Sequence, residues 1–118
     1  MHTSSASPVA SPFATDDPVL SLIGNTPMVA YPGIENERVL CKMESMNPTG
    51  SMKDRIAMGI LTEAVRTHNI DTVVEASSGN TAGAVALVAN RLGLRCILTC
   101  PEGSSRQKFG YMKAFGAE

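Results

Sequence analysis

The stretch TVVEASSGNTAGAVALVANRLGLRCILT, Thr72 to Thr99, decides the fold. Thr72 to Ala76 is short and rich in β-branched residues, the composition of a strand. From about Asn80, the residues Val85, Val88, Ala89 and Leu92 share one face of a 3.6-residue period, and Gly93 is placed to stop that helix. Arg95 to Thr99 then reads as a further strand. Two strands separated by a single helix imply a right-handed crossover and parallel pairing. The expected class is α/β: a three-layer open parallel sheet with helices on its faces.

Upstream the same alternation continues. Ala57, Ile60, Leu61, Ala64 and Val65 recur at i, i+3, i+4, i+7 and i+8, which predicts a helix ending near His68 and Asn69. His68 reads there as a cation at a helix end rather than a catalytic base. Val39 to Met43, interrupted by Lys42, is expected to be the first strand of the sheet. Downstream, Pro101 and Gly103 mark a turn, and Ser104 or Ser105 should cap a last helix carrying Met112 and Phe115, although Gly110 weakens it.

Residues 1–18, MHTSSASPVASPFATDDP, mix Ser, Ala, Thr and Pro without apolar periodicity and read as a flexible leader before a folded unit over residues 19–118. This stretch has neither the basic start and apolar core of a secretory signal nor the arginines of a mitochondrial presequence. The chain has 118 residues, 43% of them hydrophobic, and a mean hydropathy of +0.02, as expected of one ordinary globular domain. Its net charge of −1 comes without a basic run, so a nucleic acid or an anionic membrane surface is a poor partner and a small molecule a better one. No apolar run reaches membrane-spanning length. Cys41, Cys96 and Cys100 are odd in number and not spaced as a disulfide framework, which points to a reducing cytoplasm. On a strand Cys96 and Cys100 would stand about 13 Å apart, too far to share one metal ion, so they read as structural thiols.

Two loops carry the chemistry. NPTGSMKDR, Asn47 to Arg55, sets Lys53 where a Gly-Ser loop opens a helix. Unpaired N–H groups and positive partial charge there disfavour a further cation, which favours the neutral, nucleophilic form of a lysine amine. A solvated surface lysine is the ordinary alternative. SSGNT, Ser77 to Thr81, joins a strand to a helix start at the carboxyl edge of the sheet, where ligands bind in open α/β folds. Gly79 permits close approach, and the Ser77, Ser78 and Thr81 hydroxyls with the Asn80 amide suit a carboxylate or phosphate. An ordinary capped turn uses the same residue types. Both loops follow a strand and precede a helix, so a parallel sheet would open them on one edge.

The four motifs IGNTPMV (Ile23 to Val29), NPTGSMKDR, EASSGNTAGAVA (Glu75 to Ala86) and CPEGSSRQK followed by MKAFGAE resemble, in order, the N-terminal part of fold-type II enzymes dependent on pyridoxal 5′-phosphate, of the cysteine synthase and cystathionine β-synthase group. The resemblance implies that Lys53 forms the Schiff base with the cofactor and later moves the substrate α-proton. It implies that Asn80 lies beside the cofactor ring hydroxyl, and that Ser77, Ser78, Gly79, Asn80 and Thr81 grip the amino-acid carboxylate. Asp54 and Arg55 are expected to fix the helix start rather than to react. The implied reaction is β-elimination from an activated serine such as O-acetylserine, followed by addition of sulfide or a thiol, in a homodimer. A threonine synthase or serine/threonine dehydratase is the neighbouring alternative, and a non-catalytic binding or assembly piece the other. The family's later Gly/Thr-rich phosphate loop does not occur in these residues, and the alternation asks for another strand after Glu118. The expectation is therefore a truncated enzyme fold that carries the lysine and the carboxylate loop but lacks the phosphate site.

Overall fold

The computed structural model describes residues 15–31, 39–104 and 106–118. In chain order its elements are β1 (Met28–Ala30), β2 (Leu40–Lys42), α1 (Lys53–His68), β3 (Thr72–Ala76), α2 (Asn80–Arg91), β4 (Arg95–Thr99) and α3 (Arg106–Ala114). Short 3-10 turns lie at Leu20–Leu22 and Glu44–Met46. The β3-α2-β4 unit follows the sequence reading to the residue at both strands. β3 and β4 pair in parallel, Thr72 opposite Arg95 and Ala76 opposite Thr99. On the β4 edge away from β3, Leu98 N–H donates to Glu118 O and Glu118 N–H to Cys96 O, each at 2.9 Å.

Helix α2 is the centre of the molecule. Every residue from Ala82 to Ala89 is buried, and a helix that is apolar all round has to be enclosed. It lies on β3 and β4, while α1 and α3 pack against it. Its run of Ala and Gly keeps the helix thin enough for these neighbours to approach. The core around it includes Leu20, Ile23, Met58, Leu61, Cys96 and Met112. The layers gather on the α2 side of the sheet; Val74, on the alternate face from the core-packed Val73, is 63% exposed.

Two expectations are corrected. The strand near Val39 to Met43 exists as β2, but it is not part of the parallel sheet. It pairs antiparallel with β1, Met28 opposite Lys42 and Ala30 opposite Leu40. Three-residue strands are too short to show a periodicity, so neither β1 nor its pairing could be read locally. The buried face of α1 is also turned from the predicted one: it is made by Asp54, Ala57, Met58 and Leu61, while Ile60 is 62% exposed. At 100° per residue Ile60 lies about 110° from the centre of that face. The apolar pattern omitted Met58, which is 1% exposed and lies about 160° around the helix from Ile60, and Asp54, which is fully buried.

Helix ends follow their local signals. Asn69 adopts the left-handed conformation (φ 49°) just after α1, and Gly93 does so (φ 72°) after α2. The turn at Pro101 and Gly103 forms, with Ser104 N–H donating to Pro101 O at 3.3 Å. Ser104 Oγ donates to the same carbonyl, and Ser105, the other expected cap, lies outside the described residues. Most of the stretch read as a leader also lies outside them. Asp17, near its end, belongs to the fold. Its Oδ1 accepts from the N–H groups of Val19 and Leu20, and its Oδ2 takes the Arg91 guanidinium at 2.6 Å.

The rotated face of α1 makes a direct test. Met58→Ala should lower unfolding free energy by about 2–5 kcal/mol through the cavity it leaves. Ile60→Ala should stay within about 0.5 kcal/mol of the parent. Denaturant titration of both variants checks the assignment, and the reverse ranking would overturn it.

Candidate active site

The lysine loop is built by its own polar side chains. Gly50 takes a left-handed conformation (φ 83°), and its N–H closes a turn on Asn47 O at 2.8 Å. Asp54 then caps the loop from within α1: its Oδ2 accepts from Thr49 N–H at 2.8 Å and its Oδ1 from the Thr49 hydroxyl. Ser51 Oγ accepts from Lys53 N–H at 3.1 Å, which leaves Lys53, partly buried, as the first residue of the helix. The expected local role of Asp54 is thus observed.

Arg55 reaches further than its helix start. Its Nε and Nη2 donate to the two carboxylate oxygens of Glu44 at 2.8 and 2.9 Å, and Nη2 also donates to Thr26 Oγ1 at 3.2 Å. Thr26 Oγ1 donates in turn to Glu44 Oε1 at 2.6 Å. Asn47 Nδ2 donates to Glu44 Oε2 at 3.0 Å, while its Oδ1 accepts Gly24 N–H at 2.8 Å. At Gly24, a Cβ would stand 2.9 Å from Arg55 Nη1, and φ is +86°. The IGNTP segment therefore receives the arginine of the lysine helix. The Arg55 hydrogen bonds, followed by that of Thr26, hold the Glu44 carboxyl down at about 2.

The Ser77–Thr81 loop lies at the carboxyl end of β3, as expected. Ser77 Oγ accepts Gly79 N–H at 3.2 Å, and Ser77 O accepts the Cys100 thiol at 3.2 Å. Gly79, the N-cap of α2, makes no side-chain capping bond, and among the described residues the first N–H groups of the helix stay available beside Asn80. Around the position of a Gly79 Cβ there is open space to 4 Å. Cys96 is buried in the core, and burial raises its thiol pKa.

A cleft of about 110 Å3 brings the loops together: Thr49 from the lysine loop faces Ser78, Gly79 and Asn80, with Lys108, Tyr111 and Met112 of α3 completing the wall. Ser77 and Thr81 adjoin these lining residues in sequence and Lys53 lies four positions after Thr49, but none of the three lines the cleft. No place in a cleft was expected of Thr49, Lys108 or Tyr111, although Thr49 lies within NPTGSMKDR and Lys108 within CPEGSSRQK; each enters it through packing between segments far apart in the chain. His68 sits exposed at the far end of α1, its Nδ1 2.6 Å from Thr67 Oγ1.

The family model for pyridoxal-phosphate-dependent enzymes matches residues 19–118, and the chain belongs to that family. Among relatives, it is 41% identical to mouse cystathionine beta-synthase over 108 residues, covering 85% of this chain and 19% of that protein. It is 41% identical to cysteine synthase B of Pseudomonas syringae pv. syringae over 106 residues, covering 85% of this chain and 63% of that one. Among solved structures, O-ureido-L-serine synthase superposes with a TM-score of 0.78 at 34% identity, covering 85% of this chain and 33% of the other. The chain thus spans less than two thirds of each of these relatives.

Pyridoxal phosphate is the cofactor of this family. Part of its fit can be tested on the present residues. A lysine amine at a helix start, and an uncapped helix start with open space at Gly79, suit the cofactor's aldehyde and an amino-acid carboxylate respectively. Lys53 would hold the first, and the Ser77–Thr81 loop the second.

The Glu44 network predicts an acid signature. Its folded-state pKa lies below the ordinary 4.5, so its contribution is complete above that pH and is lost as pH falls toward about 2. Glu44→Gln should be clearly less stable than the parent near neutrality, and the gap should shrink below pH 4.5. Thermal melts across that window check it; a gap independent of pH would contradict the assignment.

Proposed function

We propose that this chain carries the lysine and the carboxylate-binding loop of an enzyme that performs β-replacement on an activated serine. O-acetylserine with sulfide or a thiol is the substrate class it fits. The observation that carries this reading is the shared cleft, in which Thr49 of the lysine loop meets Ser78, Gly79 and Asn80. The relatives' names support it chemically. Cysteine, cystathionine and O-ureido-L-serine all carry their distinguishing substituent on the β-carbon of a serine skeleton, the position that β-replacement changes.

Bound pyridoxal phosphate supplies an electron sink for carbanion chemistry. The protein's own residues supply the rest. Lys53 Nζ is the amine that holds the cofactor, and once freed it is the base placed to move the substrate Cα proton. Ser77, Ser78, Gly79, Asn80 and Thr81 bind and orient the amino-acid carboxylate through hydroxyl, amide and backbone N–H groups at the start of α2. Asn80 also serves the cofactor ring hydroxyl. Asp54 keeps the first turn of α1 in place by holding Thr49.

The same reading takes the partner to be a small amino acid, and the working form to be a cytoplasmic homodimer. Among the described residues, no helix is long and apolar enough to cross a membrane.

Titration with pyridoxal phosphate should produce the visible absorption of a lysine-bound cofactor, lost in Lys53→Ala. O-acetylserine should then change that spectrum. Asn80→Ala should raise the concentration needed for half the change by about tenfold, the scale of one charge-assisted hydrogen bond. Persistence of the absorption in Lys53→Ala would sink the assignment, and turnover of threonine without a response to O-acetylserine would move the substrate class.

A further inference from the structure

We propose that Tyr111 is a positioning residue, setting the separation between the lysine loop and the Ser77–Thr81 loop and thereby the affinity of the cleft for the amino acid. Three observations carry it. The Tyr111 hydroxyl donates to Thr49 O at 3.2 Å, across 62 residues of sequence. Thr49 is held at its N–H and its hydroxyl by Asp54, the neighbour of Lys53, so a restraint on Thr49 reaches the first turn of α1. The Tyr111 ring meanwhile presses on the first turn of α2, where a Cβ at Gly83 would lie 2.7 Å from its Cε1.

The ring is held in turn by Phe115, edge to face, with centroids 4.6 Å apart. Among the described residues, no hydrogen bond runs directly between residues 47–55 and residues 77–83; Tyr111 joins them with a hydrogen bond to Thr49 at one end and ring packing on Gly83 of α2 at the other. Burial raises the phenol pKa, so near neutrality the hydroxyl keeps the proton it donates. Tyr111 also lines the cleft beside Ser78 and Asn80. Its position therefore changes the cleft without its touching the reacting atoms.

This inference rests on the proposed function for its substrate, and its test separates the two. Tyr111→Phe keeps the ring and removes the tether. In the cofactor-loaded protein, amide hydrogen exchange at Thr49 to Lys53 should quicken, while the thermal midpoint and the concentration of pyridoxal phosphate for half-saturation stay close to the parent's. The O-acetylserine concentration for half of the spectral change should rise about fivefold, the scale of one lost hydrogen bond. A purely structural role would instead lower the midpoint and weaken cofactor binding together. Gly83→Ala, which displaces the ring, should quicken the same amides. Unchanged exchange at Thr49 to Lys53 in Tyr111→Phe overturns the proposal, as does quicker exchange with unaltered O-acetylserine response. A parent that ignores O-acetylserine refutes the proposed substrate instead, and the exchange comparison still decides the tether.

Discussion

The pairing of Arg55 with Glu44 is the constraint through which the lysine-bearing turn acquires a fixed place. Arg55 lies two residues beyond Lys53 on α1, and its guanidinium spans both oxygens of a carboxylate carried by the segment after β2. A bidentate pair fixes orientation as well as distance, because two parallel hydrogen bonds leave little freedom to pivot. Thr26 and Asn47 complete the coordination of Glu44, and Gly24 makes room for the guanidinium by having no Cβ. Three stretches of chain, around residues 24–26, 44–47 and 55, thereby become one unit. The pair contributes to stability while Glu44 is ionised, and that contribution falls away in acid. Its effect lies in registering the helix start against the β1-β2 ribbon.

The other half of the cleft depends on how thin α2 is. A helix that buries Ala82 through Ala89 on all sides can be approached by the sheet, α1 and α3 together only where its side chains are small. Gly83 is the extreme case, since the Tyr111 ring occupies the space of its absent side chain. With α2 fixed in this way, its uncapped N-terminus and the Ser77–Thr81 loop face Thr49 across a narrow gap. The Lys53 turn and the Ser77–Thr81 loop belong to separate supersecondary units, the start of α1 and the β3-α2 turn.

How far the sequence could be read depended on whether the deciding interaction was local. β3, α2 and β4 were legible because strand composition, helical period and a terminating glycine all lie within the segments they govern. The two motif loops were legible as candidate sites for the same reason. The antiparallel pairing of β2 with β1 was not, since three residues carry no period and register depends on a partner ten or more residues away. Nor was the role of Ile60, whose apolar character suggested burial. The buried face, made by Asp54, Ala57, Met58 and Leu61, centres about 110° from it.

By itself the sequence determined the α/β class, the central strand-helix-strand unit and the candidacy of Lys53 and of Ser77 to Thr81. Backbone preference and hydrophobic periodicity act over a few residues, and a short motif carries its own chemistry. Tertiary structure alone decided that Glu44 and Thr26 receive Arg55, that Thr49 faces Asn80, and that Tyr111 spans from α3 to the lysine loop. Each of those relations joins groups remote in sequence, and their geometry depends on the packing of whole elements around α2, which no single segment specifies.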